Sequence, residues 1–152
     1  MTYSVPFYAM QSALYKVLSK NSDIKWFDSG ATIEEIADFY KNQAEFAYGI
    51  IGAADADCDA NKDTVVWEMS LDLEIYSNYK GRKVITQKLN DLLNQFCDST
   101  QFTAINEVLN ETGFVLIKLT VGSLRVNLPV FSDNGIWQSG GTTLRLTIGQ
   151  KE

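Results

Sequence analysis

Histidine is absent from all 152 residues. That removes the commonest general base, the commonest metal ligand and the usual near-neutral proton switch. Ser-His and Cys-His nucleophile arrangements are excluded with it. Cysteine is scarce. Cys58 and Cys97 lie far apart without CxxC spacing, which predicts free thiols in a reducing compartment. Long apolar runs are missing too. The longest uncharged one, Phe46 to Ala54, carries two glycines, and a membrane helix needs roughly 18 to 20 apolar residues. No basic segment followed by an apolar block opens the chain, so no signal peptide is expected and synthesis in a cytoplasm is. Basic clusters are lacking as well, which argues against gripping nucleic acid through its phosphates.

What is present fits one ordinary domain over residues 1–152, long enough to bury a core without staples. The net charge is −6. Its source is local: between Asp55 and Glu74 there are seven acidic residues and one basic, while the rest of the chain balances.

Hydrophobic spacing orders the elements. Phe7, Met10, Leu14, Val17 and Leu18 predict a helix over 5–20, with Ser4 placed to cap it. Its polar side carries Tyr8 and Tyr15, which suit a protein contact or plain partial exposure. Ile24 to Asp28 reads as a short strand. Thr32 and Glu35 form a capping box for a short helix reaching about Lys41. Residues 46–54 read as an apolar strand and 55–63 as a polar loop. From Trp67 the chain alternates strictly, with Trp67, Met69, Leu71, Leu73 and Ile75 against Glu68, Ser70, Asp72 and Glu74. This is a half-buried strand, expected to pair antiparallel with the preceding one. Residues 82–97 are amphipathic and helical, ended by Asp98 to Thr100, and 102–109 fit a weak helix or a loop. Phe114 to Val121 is strand-like on an odd-numbered face. The apolar parity flips after Gly122-Ser123, which requires a bulge or a turn. Residues 129–141 have loop chemistry, and Thr143 to Ile148 alternates again. The expected fold is α+β: a two-layer sandwich of about 4–5 strands, largely antiparallel with mixed pairing allowed, and two main helices on one side.

Three motifs invite chemistry. Asp55, Asp57 and Asp59 match the opening of a calcium loop, since alternate oxygens suit a hard cation. Position six is Ala60 instead of glycine and position twelve is Val66 instead of glutamate, so a solvated turn is the stronger reading. Glu68, Asp72 and Glu74 share one strand face, where paired carboxylates can do acid-base work. No other part of a substrate site accompanies them, and an acidic face toward water, a partner or a lumen is the preferred reading. The glycines at 49, 52, 140 and 141 are too sparse for a phosphate cradle. No cofactor, no resident metal and no enzymatic activity are expected.

One block carries a resemblance. An apolar strand (Ala47 to Gly52) leads through polar residues into Trp67 to Ser77, then Asn78-Tyr79-Lys80-Gly81-Arg82-Lys83, then an amphipathic helix. With a short opening helix at Ser12 to Leu18 and a closing strand at Gly141 to Ile148, this order resembles the phage tail terminator family, also called tail completion or tail-to-head joining proteins. The chain departs from the pattern at 31–45 and 101–131. The resemblance implies a structural virion protein that is assembled in the host cytoplasm and resides at the head–tail junction. It implies a homo-oligomeric ring, a hexamer by expectation, on the tail tube protein. The ring would stop tube growth and join the tube to a head-connector or head-completion protein, with DNA passing through unbound. The same resemblance offers Glu68, Asp72 and Glu74 as lumen-facing. For the interface it suggests Tyr8, Tyr15, Leu124, Val126, Leu128, Val130, Phe131 and Trp137. Competing readings are another neck or head-completion ring protein, a tube subunit, or a cellular module that binds calcium or a small molecule.

Overall fold

A computed structural model describes residues 2–21, 23–28, 33–40, 46–60, 64–132 and 135–151. The order is α1 (Phe7–Asn21), β1 (Lys25–Asp28), α2 (Ile33–Phe39), β2 (Ala47–Ala60), β3 (Val65–Ser77), α3 (Lys83–Phe96), α4 (Ser99–Glu111), β4 (Phe114–Val126), β5 (Val130–Ser132) and β6 (Gly135–Gln150). The fold is α+β. Its open sheet runs β1-β2-β3-β6-β4, with β5 paired to β6. Every pairing is antiparallel except β1 with β2. Parallel neighbours need a long crossover, and the segment containing α2 provides it.

β3 forms the spine. Its odd residues from Val65 to Ser77 are all buried, as strict alternation predicts. Those from Val65 to Ile75 meet Leu144, Leu146 and Ile148 of β6 and the apolar faces of α1, α3 and α4 in one core. In α1 the buried stripe is Met10, Ala13, Leu14, Val17 and Leu18. Phe7, expected on that stripe, is exposed. Ser4 does not cap the helix. Its N–H donates to Gln150 Oε1 at 2.9 Å, and the first helical bond runs from Met10 N–H to the Pro6 carbonyl.

Several segments differ from their sequence reading. β2 continues to Ala60 where a loop from 55 was expected, because Val65 to Leu71 of β3 lie alongside and complete its ladder. A bulge between Ile51 and Ala54 resets the register. Of the expected loop, 61–63 fall outside the described residues, as does the capping residue Thr32.

The weak segment 102–109 lies inside the well-formed helix α4. Asp98, read as the end of one helix, caps the next, its side chain accepting from Thr100 N–H at 2.9 Å. Ile105 and Leu109 of α4 are fully buried. Three helices therefore cover the main sheet face, not two. Loss of the cap in Asp98→Ala is expected to cost about 1 kcal/mol, read as a lower urea midpoint with an unchanged slope.

Residues 129–141, read as loop, supply β5 and the start of β6. β4 carries the predicted irregularity between Val121 and Leu124, and a second between Leu116 and Lys118. Beside the second, Asn106 Oδ1 accepts from Leu116 N–H at 2.8 Å. That bulge reverses the expected facing: Phe114 and Leu116 are buried and Ile117 is exposed. At the entry to α3, Gly81 adopts φ +99°, a left-handed conformation that glycine takes without a Cβ clash.

Candidate assembly surfaces

The sheet face away from the three helices is acidic at one end and aromatic at the other. The register places Asp55, Asp57 and Asp59 of β2 beside Ser70, Glu68 and Val66 of β3. Together with Asp72 and Glu74, six carboxylates among the described residues share this face. Three cations accompany them: Lys118 and Arg125 of β4 and Arg145 of β6. Glu74 is ion-paired with Arg125. Asp72 accepts from Thr143 Oγ1 at 2.6 Å and Glu68 from Thr147 Oγ1 at 3.0 Å. β3 thus sets its acids against hydroxyl donors on β6, while Asp57 lies across from Glu68 with like charge, an unfavourable cross-strand pair.

This geometry corrects the calcium-loop reading. Alternate residues of an extended strand are splayed along a plane about 7 Å apart, and so cannot wrap a cation. Among the described residues no three His, Cys, Asp or Glu side chains converge as a metal set.

The aromatic end was not foreseen. Tyr40 stacks on Phe46 with centroids 4.6 Å apart, and Tyr48 on Tyr76 at 5.3 Å. Ile36 of α2 joins them, so α2 covers this end. The only sequence signal is aromatic residues at even spacing on neighbouring strands. Tyr40 anchors the cluster, its hydroxyl accepting from Lys25 N–H at 3.1 Å and donating to the Ala47 carbonyl at 2.9 Å.

Burial, and then the neighbouring Tyr76, push the Tyr48 hydroxyl up to about 12. Burial likewise raises Tyr40 and Tyr76. A folded-state value above the unfolded one means that the native chain holds its proton longer. Stability is therefore full below pH 10, falls as pH rises from about 10 to about 12, and then levels. Denaturation midpoints across that range measure the fall, and Tyr48→Phe should make it shallower.

The suggested interface residues divide. Tyr8 is 81% exposed and Phe131 74%, and Leu124, Leu128 and Val130 are exposed with them. Tyr15 is partly committed: its ring lies 5.7 Å from Lys25 Nζ, which also donates to its hydroxyl at 3.2 Å. Two residues face inward, contrary to expectation. Val126 packs against the main core. Trp137 sits in the aromatic cluster, 5.6 Å from Phe46 and 6.0 Å from Tyr48. β6 has already begun at Gly135, and its alternation turns Trp137 onto that face. Sequence reasoning missed Tyr3, Val5, Phe7 and Ile117, all exposed. Cys58 and Cys97 are free and exposed.

The architecture defines an α+β protein built on an open mixed sheet, with apolar groups displayed outside its core. No protein-family model matches the chain and no curated protein does. Among solved structures, it is similar to a chain of the virion of a native gene transfer agent particle. There the identity is 10%, the alignment covers 97% of this chain and 99% of that one, and the TM-score is 0.48. A likeness that shallow carries no argument about what this chain does.

Proposed function

We propose that this chain is a structural virion subunit of the phage tail terminator type. It closes into a ring, a hexamer by analogy with the resembled family, on the last ring of the tail tube. It stops tube growth and offers a joining surface to the head connector. The role is mechanical and not enzymatic.

One observation carries the reading: the sheet ends in two unlike edges. On one side, β2 beyond Ile51 pairs only with β3 among the described residues, and this free stretch carries Asp55, Asp57 and Asp59. On the other side, β4 pairs among the described residues only with β6 and carries Lys118 and Arg125. An open edge is a template for another strand. Unlike edges at opposite ends of one sheet suit a heterologous contact between copies, the kind that closes rings. Continued around a ring, this sheet face, on which carboxylates outnumber cations, would disfavour phosphate contacts and let DNA slide.

Light scattering of the purified chain with negative-stain images is the direct test. Rings with a central hole are expected, loosening as salt screens the edge charges. Asp57→Lys should weaken each contact about tenfold, a loss of about 1.4 kcal/mol, and so deplete the rings. Adding Lys118→Asp to it should restore the rings. A chain that stays monomeric in every condition and does not cap purified tail tubes would end the proposal.

A further inference from the structure

At the corner of α3 and α4, beside the edge strand β4, lies a groove of about 520 Å³. Its apolar lining includes Phe96, Phe102, Leu119 and Val121. Phe96 belongs to the main core and the other three are half-buried against it. Cys97 and Asp98, both exposed, stand on the rim, and Asp98 is the one charged residue of the lining.

The same chain displays an apolar arm. Leu128, Val130 and Phe131 are 58–77% exposed. Among the described residues β5 pairs only with β6. The β5–β6 hairpin projects past the end of β3, because Ser77 lies opposite Gln138 and the hairpin pairs occupy 135–137. Contiguous apolar groups left in water mark a contact site.

This arm cannot enter its own groove. Phe131 lies opposite Ile136, whereas Leu119 and Val121 lie opposite Leu146 and Leu144. Those points are eight to ten residues apart on β6, roughly 26–33 Å along an extended strand. β3 pairs with β6 from Gln138 to Gln150 without a register shift, so the strand does not fold back. A second copy brings the two together. Charge agrees with the match. Lys80, Arg82 and Lys83 are exposed just beyond Ser77, at the arm's end of the sheet, and are opposite in sign to Asp98. Leu128 to Ser132 carries no charge. A knob and a pocket at different places on one chain make a heterologous contact, which adds copies head to tail.

We propose that the β5 arm of one copy, led by Phe131, seats in the groove between α3, α4 and β4 of the next copy. The inference rests on the self-assembly reading above and adds an apolar contact to its charged edges.

Thiol cross-linking tests it. Copies carrying Cys58→Ser, Cys97→Ser and Val130→Cys hold one thiol on the arm and keep Phe131. Copies carrying Cys58→Ser alone hold one thiol, Cys97, on the groove. Mixed and treated with a short bismaleimide, they are expected to give arm-to-groove dimers well above the statistical yield. Phe131→Ser, outside the core, added to the arm copies should weaken this contact at least about tenfold, as the loss of one large buried side chain predicts. Pairing of like with like, or at the statistical yield, would overturn the proposal. Rings that survive Phe131→Ser unchanged, with no excess of mixed dimers, would overturn it and leave the ring reading standing. Mixed dimers lost on Phe131→Ser, in a chain that forms no rings, would support the contact and end the ring reading.

Discussion

Gly141→Ala is expected to destabilise the protein by about 3 kcal/mol or more, at or beyond the upper end for an overpacked core. Gly141 lies in β6 between Glu74 of β3 and Arg125 of β4. A Cβ there would land on the Leu73 carbonyl oxygen and come within 3.0 Å of Glu74 Oε2. The Leu73 oxygen belongs to backbone in the best-paired strand, so it cannot give way without breaking the β3–β6 ladder. The Arg125–Glu74 ion pair, which bridges the same point, would be displaced too. Gly113→Ala is the control. Gly113 has φ +88° with nothing within 4 Å of a Cβ, so only the backbone term remains, about 1 kcal/mol. Urea unfolding of both variants measures the contrast. Equal costs would mean that β3 and β6 do not pair in this register.

Leu109→Ala is the second. Leu109 is fully buried in α4, one turn after the equally buried Ile105. Truncation removes its transfer free energy and leaves a cavity that rigid neighbours fill only in part. The expected cost is about 2–5 kcal/mol, or roughly 7–14 °C in Tm at the middle of that range for a chain of this size. Thermal unfolding by circular dichroism reads it directly. Glu107→Ala, on the exposed side of the same helix, should stay within about 0.5 kcal/mol. A negligible Leu109 effect would return 102–109 to the surface loop that its weak helix propensity suggests.

Both tests fall where sequence and structure part company. In α4 the threonines and asparagines lower the intrinsic helix preference, and the burial of Ile105 and Leu109 against α1 and β4 overrides it. In Gln138 to Gly141 the glycines read as a turn. Crowding by Leu73, Glu74, Arg125 and Ile85 leaves no room for a Cβ there, at the centre of the sheet. Asp55 to Asp59 read as a solvated turn because acids on alternate positions look the same in a loop and on the wet face of a strand. Only the partner strand distinguishes the two. Part of the exposed apolar surface was legible in the same way. Tyr8, Leu124, Leu128, Val130 and Phe131, all named from the sequence, are exposed. Val126 and Trp137 were misplaced because each follows a register set by distant residues.

The sequence alone determined the class of fold, the alternation of β3, the buried stripes of α1 and α3, and the place of the acidity. All of these follow from side-chain period and local charge, which need no distant partner. Tertiary structure alone decided how far β2 extends, that α4 is a helix, and that the aromatic residues of β2, β3 and β6 meet under α2. It also decided that β2 beyond Ile51 leaves an acidic open edge and β4 a basic one among the described residues. These are facts of pairing and register. Residues far apart in the chain set them through backbone hydrogen bonds and close packing, and no single segment contains them.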